Sequence, residues 1–150
     1  MKFDDINIIE ASIGGKIKKI KYDHIRESRP YTIEEEETPH PDMLKAFYAF
    51  KKDMAEAYYH LSNETIDNFS IDGFAISEDS KSFSICLKGK MITSHKDSVT
   101  VNSGNIPVEG DVVEKLATVR EELFKYLFEG KSAQGELPFP KKDGEEAKDE

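Results

Sequence analysis

Tryptophan is absent from this chain of 150 residues, and cysteine occurs once, at Cys86. A single cysteine cannot form an intramolecular disulfide, so apolar packing must hold the fold together, as is usual in a reducing compartment. No run of about 18 apolar residues is present, which argues against a membrane-spanning helix. The acidic start, with Asp4 and Asp5, is unlike the basic start of a signal peptide. We therefore expect a soluble, cytoplasmic protein.

Motifs of enzyme active sites are also missing. The nine glycines form neither a phosphate-binding loop nor a nucleophile elbow. His24, His40, His60 and His95 lie in separate segments without the spacing of metal ligands. Cys86 lies in a predicted strand between apolar residues, where a buried and inert thiol is expected. The sequence therefore predicts no catalytic residue, no metal site and no cofactor.

The net charge of −9 is unevenly distributed. Residues 1–33 contain seven Lys or Arg and five Asp or Glu, whereas residues 34–150 contain fourteen and twenty-five. Such an acidic chain cannot present the broad basic surface of a typical duplex-DNA binder. Only a local basic strip, near the N-terminus, remains possible.

The first part of the chain reads as strands followed by a helix. Three segments are predicted strands. Ile6–Ile13 is apolar-rich, and Lys16–Tyr22 and Tyr31–Glu35 alternate between apolar and polar residues. Pro41 suits the first position of a helix, and Asp42 suits its first turn. An apolar stripe from Met43 to Leu61, with spacings of three and four, predicts one helix there.

The second part repeats that order. Strands are predicted at Phe69–Ile76 and Phe83–Thr93, with a bulge where the alternation slips at Asp72–Gly73, and a short edge strand at Ser98–Val101. Residues 102–110 read as a loop. Asp111 is the predicted N-cap of a second helix, and Gly130 its C-terminal end.

This order favours an α+β domain: an antiparallel sheet with two helices packed on one face, in the order strands, helix, strands, helix. We assign residues 1–130 to a single domain and residues 131–150 to a disordered, flexible tail. No internal repeat is visible in the sequence. An exposed Tyr48 or Tyr59 leaves room for a homodimer, because adjacent aromatic residues of one helix cannot both face the core.

One segment is basic. Lys16, Lys18, Lys19 and Lys21 alternate with apolar residues and end at Tyr22. The lysines could bind the backbone of a single-stranded nucleic acid, such as single-stranded DNA, while Tyr22 stacks on a base. Alternatively, the segment is an edge strand that lysines protect against aggregation. The sequence leaves both interpretations open, and favours the second.

The tail contains one short motif, Gln134-Gly135-Glu136-Leu137-Pro138-Phe139. Its pattern, Gln-x-x-Leu-x-Phe, resembles the peptide by which bacterial replication and repair proteins bind the sliding clamp. The resemblance implies that Gln134 hydrogen-bonds at the rim of the clamp pocket and that Leu137 and Phe139 fill an apolar groove. Gly135 departs from the peptide, which often has a hydrophobic residue there. Pro138 would restrict the unbound peptide and lower the entropic cost of binding.

Three further segments resemble a family of small uncharacterised bacteriophage and prophage proteins: Lys16–Tyr22, Thr38–Asp42 and Gly130–Gly135. This resemblance implies a phage or mobile-element setting in a bacterial host cell, and no particular activity. Together with the tail motif, it leads us to expect a non-enzymatic phage-type accessory binding protein that docks on the clamp in DNA replication or recombination.

An acidic inhibitor of a host defence factor is the remaining alternative. A DNA mimic would need two rows of acids on one face, with candidates Glu34–Glu37, Asp111, Glu114, Glu121 and Glu122. A nucleotide-sequestering protein would instead need Arg26, Arg29 and Arg120 to converge on one pocket.

Overall fold

The computed structural model describes residues 2–13, 16–58, 66–78, 83–93 and 95–132. Six strands form one antiparallel sheet, and the helices pack on one side of it, which confirms the predicted α+β class. The strands are β1 (Ile6–Ser12), β2 (Ile17–His24), β3 (Arg29–Glu37), β4 (Phe69–Glu78), β5 (Phe83–Ile92) and β6 (Ser98–Pro107). The helices are α1 (Pro41–Tyr48), α2 (Lys51–Ala57) and α3 (Asp111–Glu129), with single 3-10 turns at Phe3–Asp5 and Ile66–Asn68.

The sheet has an internal two-fold arrangement that the sequence does not show. Its strand order is β3-β2-β1-β4-β5-β6, so each half is a three-stranded meander followed by helix. The halves meet where β1 and β4 pair antiparallel, with Ala11 opposite Phe74. Both β1 and β4 carry a bulge at the corresponding place, between Ile8 and Glu10 and at the predicted Asp72–Gly73. The two halves therefore share their strand order and the position of the bulge, but not their amino-acid sequence.

The helices of each half cover the strands of the other half. α1 and α2 follow β3 in the chain, but α1 packs on β4, and α2 packs on β4 and β6. α3 follows β6, yet its side chains contact the first half. Phe124 packs on Phe3 at 5.6 Å, Phe128 on Tyr22 at 5.7 Å, and Arg120 Nε donates to Ile8 O at 3.0 Å.

The core forms between the sheet and the helices, as predicted. Phe47, Met54, Leu116, Leu123, Ile71 and Ile85 are all buried in one cluster, with Phe83 packed against it. Phe47 lies 5.9 Å from Phe74, ring centre to ring centre. Burying each such side chain contributes about 1.5–3 kcal/mol. Among the helices of the described ranges, none has the length and apolar character that a membrane span requires.

The predicted first helix begins at Pro41 as expected but is interrupted. His40 Nδ1 accepts a hydrogen bond from the Asp42 N–H at 3.0 Å, which caps the helix start. Near Ala49 the α-helical hydrogen-bond pattern is broken, because the Phe50 N–H donates to Phe47 O, three residues back instead of four. α2 then begins at Lys51. The last residues of the predicted helix, 59–61, lie outside the described residues.

Two predictions in the second half were wrong. β6 continues to Pro107 instead of ending at Val101, because Gly104 takes a left-handed φ of 70° and the strand passes through it. Asp111 is not the N-cap of α3. Gly110 holds that position with a φ of 59°, and Asp111 is the first residue of the helix. Gly130 ends α3 in the left-handed conformation, with a φ of 73°, as expected.

Candidate functional site

The basic segment lies inside the sheet, not at its edge. β2 pairs with β1 on one side and with β3 on the other, so the edges of the sheet are β3 and β6. Lysine protection of an edge therefore does not explain Lys16, Lys18, Lys19 and Lys21. The exposed backbone edge of β3 is instead flanked by the acids Glu34–Glu37.

Lysines of two separate strands share the face of the sheet opposite the helices, here called the open face. In one cross-strand row, Lys19 lies opposite Ser12, Ser12 opposite Gly73, and Gly73 opposite Lys88. Residues directly opposite each other in a ladder point to the same side. Lys88 therefore shares the open face with Lys19, and Lys90 shares it too, because it is two residues further along β5.

Tyr22 points the other way. It is 7% exposed and faces the helices, where it stacks on Tyr31 at 5.2 Å and meets the Phe128 ring edge-on. Burial raises the pKa of its hydroxyl. The predicted partnership of Tyr22 with the lysines is therefore wrong, because alternation along β2 puts Lys19 and Lys21 on the opposite side.

Carboxylates lie among these lysines. Glu10 Oε2 is 3.4 Å from Lys19 Nζ, and Glu10 Oε1 is 3.9 Å from Lys21 Nζ. Burial raises the pKa of the Asp72 carboxyl, while Lys90 and Lys18 lower it. Lysines from β2 and β5 thus act on one central carboxyl group. Within the described part of the chain, Lys88 and Lys90 form no ion pair.

Four of the eight acids proposed as a DNA-mimicking surface are engaged in the fold: Glu35, Glu37, Asp111 and Glu122. The Tyr126 hydroxyl donates to Glu35, and it also lies 2.9 Å from Glu37 Oε1. Burial, together with these carboxylates, raises the pKa of that hydroxyl. Glu122 is buried, and Asp111 lies 3.4 Å from Lys115. These acids do not line up as two free rows, so the arrangement does not favour mimicry.

The three arginines do not converge. Arg26 lies 3.8 Å from Asp5, and the Arg29 guanidinium lies over the Tyr31 ring. Arg120 is drawn inward to the Ile8 carbonyl, and burial lowers the pKa of its guanidinium. Of the three, only Arg120 lines the cavity of about 410 Å³ beside the start of β1. A shared nucleotide pocket is therefore not favoured.

The folded part extends past the predicted boundary at residue 130. Lys131 is 9% exposed, and its Nζ lies 2.8 Å from Asp42 Oδ2 and 3.1 Å from Glu122 Oε1. The chain is thus fixed to α1 and α3 up to Ser132, on the helical side. The predicted clamp-binding residues, Gln134, Leu137, Pro138 and Phe139, lie outside the described residues.

Comparison with known proteins gave no match. No family model, curated protein or solved structure is significantly similar to this chain.

Two other predicted features can be located. Cys86 is partly exposed instead of buried, because it alternates with the buried Ile85 and Leu87 and so faces the open side. His40 caps α1. No group of three or more His, Cys, Asp or Glu side chains within the described ranges could hold a metal ion. Tyr48 is 43% exposed, with Lys51 Nζ 4.7 Å from its ring centre, and Tyr59 lies outside the described residues.

Proposed function

We propose that this chain is a non-enzymatic accessory binding protein of a bacteriophage or prophage. It docks through its C-terminal segment on the sliding clamp of the bacterial host, in DNA replication or recombination. The motif at Gln134, Leu137 and Phe139 carries the proposal, because it combines a glutamine with two apolar residues at the spacing of clamp-binding peptides.

The base of the segment supports the proposal. Lys131 is held by Asp42 and Glu122, so the C-terminal segment starts from a fixed point beside α1 and α3. Gln134 follows three residues later, and three extended residues span about 10 Å. A tether of at most this length keeps Gln134 close to Lys131, at the side of the sheet that carries the helices.

Titration calorimetry of the intact protein against a purified bacterial sliding clamp tests this function. We expect a dissociation constant in the micromolar range, as suits an extended peptide that fills one groove. The double variant Gln134→Ala with Phe139→Ala should abolish binding. Glu136→Ala is the matched control, because this position is variable in the pattern, and it should bind like the unaltered protein.

Truncation after Ser132 separates docking from folding. The truncated protein should lose clamp binding and keep its melting temperature, since the anchoring residue Lys131 is retained. If truncation lowers the melting temperature by several degrees, Leu137 and Phe139 pack on the domain and the docking proposal loses its basis. Absence of clamp binding by the intact protein would also refute it.

A further inference from the structure

The cavity of about 410 Å³ beside the start of β1, here called the β1 cavity, lies where two central strands part. β1 pairs with β4 only over Glu10–Ser12, so residues Ile6–Ile8 have a neighbouring strand on one side alone, that of β2. Ile6–Ile8 form part of the cavity wall. A cavity of this volume can hold a small organic molecule.

One wall of the β1 cavity is apolar and partly uncovered. Phe3 and Ile25 both line the cavity, and they are 40% and 56% exposed. Large apolar side chains that remain in contact with water beside a concave site are typical of a binding surface. The apolar part of a ligand could therefore bury its surface against these two side chains.

Arg120 is the cation among the described residues that line the cavity. Its Nε donates to Ile8 O at 3.0 Å, but its Nη2 is buried and has no hydrogen-bond partner. Within the described ranges the guanidinium forms no ion pair. An arginine removed from water is usually paired with an anion, and a carboxylate fits its planar donors best. Because Nη2 donates to nothing, turning it toward the cavity breaks no hydrogen bond at that atom.

Two carboxylates also line the β1 cavity, those of Asp4 and Asp23. Neither forms an ion pair in the described part of the chain. They would repel a second negative charge on a ligand, so a phosphate or a dicarboxylate is disfavoured, whereas an ammonium group is attracted. The lining therefore complements a ligand that has one negative charge, one positive charge and an apolar part.

We propose that the β1 cavity binds a free α-amino acid with a large apolar side chain. The ligand carboxylate pairs with Arg120, and its ammonium group pairs with the carboxylates of Asp4 and Asp23. The apolar side chain packs on Phe3 and Ile25. The two charged groups of an α-amino acid are attached to the same carbon atom, so both fit within a cavity of this size.

Titration calorimetry of the intact protein with three related probes tests the proposal. L-Phenylalanine has both charges, hydrocinnamate lacks the ammonium group, and phenethylamine lacks the carboxylate. We expect saturable binding of L-phenylalanine, and binding at least about tenfold weaker for the other two probes, because each loses one charge-assisted contact. Equal or tighter binding of hydrocinnamate or phenethylamine would refute the assignment of the charges.

Replacement of the guanidinium locates the site of binding. Arg120→Gln should weaken binding of L-phenylalanine at least about tenfold. Arg29→Gln is the matched control, because the Arg29 guanidinium lies over the Tyr31 ring and does not line the cavity. The control should bind L-phenylalanine like the unaltered protein.

A second pair of variants tests the apolar wall and does not disturb the Arg120 hydrogen bond. Ile25→Ser should weaken binding of L-phenylalanine by about threefold to tenfold, because the ligand loses apolar contact. Ile92→Ser is the control, since Ile92 is also exposed, at 46%, but lies on β5 outside the cavity. No binding of L-phenylalanine up to its solubility limit, or equal losses in a variant and its control, would overturn the proposal. These measurements use neither the clamp nor residues 134–139, so they leave clamp docking to its own test.

Discussion

The ion pair between α2 and α3 allows a quantitative prediction. Lys115 Nζ lies 2.7 Å from Asp53 Oδ2, and the two side chains are only 17% and 10% exposed. Lys115 has a second partner, Asp111, at 3.4 Å, which is 69% exposed. Asp53 has no second ion-pair partner in the described ranges. Loss of Lys115 therefore leaves a buried carboxylate alone, whereas loss of the Asp53 charge leaves the lysine with Asp111.

We expect Lys115→Met to lower the free energy of unfolding by about 2–3 kcal/mol, somewhat less than the 3–5 kcal/mol typical of a fully buried pair. Asp53→Asn should cost about 1 kcal/mol. For a chain of this length, about 2 kcal/mol corresponds to a fall in melting temperature of about 4–8 °C. Combining the two changes, Lys115→Met with Asp53→Asn, should bring stability back to within about 1 kcal/mol of the unaltered protein, because no buried charge remains.

Urea denaturation of the four proteins gives the double-mutant cycle directly. A cost for Lys115→Met no larger than that for Asp53→Asn would show that Asp53 is solvated or finds another partner. A double variant as unstable as the sum of the single variants would show that the two side chains do not interact. Either result would refute the argument from burial.

Two further predictions concern the fold. A Cβ at Gly89 would lie 1.9 Å from Ser70 O, which is a backbone atom that cannot move aside. Gly89→Ala should therefore lower the free energy of unfolding, measured by denaturation, by about 3 kcal/mol or more. A cost below about 1 kcal/mol would contradict this contact. The Lys131 hydrogen bond lowers the pKa of Asp42 below its usual 3.8. This interaction stabilises the fold above pH 3.8 and is lost as pH falls through the lower folded value, so the difference in melting temperature between Asp42→Asn and the unaltered protein should shrink in acid. A constant difference across that range would mean that the pair contributes nothing.

Local chemistry predicted the local features of the fold. Three features were recognisable from a few neighbouring residues, and each lies where expected: the helix start at Pro41, the bulge at Asp72–Gly73 and the helix end at Gly130. The break between α1 and α2 near Ala49 could not be predicted from the sequence, because Phe50 and Met54 are buried as they would be in one continuous helix. Sheet order was also hidden, since pairing of β1 with β4 joins residues more than sixty positions apart.

The candidate site was predicted only in part. The lysines of β2 were visible as a basic run, but Lys88 and Lys90 stand out only when the register places them on the same face of the sheet as Lys19. Tyr22 could have been separated from Lys19 and Lys21 by alternation alone, a signal that proximity in sequence concealed. The role of Lys131 had no sequence signal, because its partner Asp42 lies in α1, 89 positions away along the chain.

The exchange of helices between the halves has a consequence for synthesis on the ribosome. The strands β1, β2 and β3 emerge first, but the side chains that close over them belong to α3, about a hundred residues later. The nascent meander must therefore keep its apolar face exposed, or shielded by a chaperone, until α3 emerges. Because so many contacts join distant segments, refolding should also be slow for a chain of this size. A ribosome stalled before residue 111 should carry a protease-sensitive chain, and a ribosome stalled well beyond α3 should carry a resistant one.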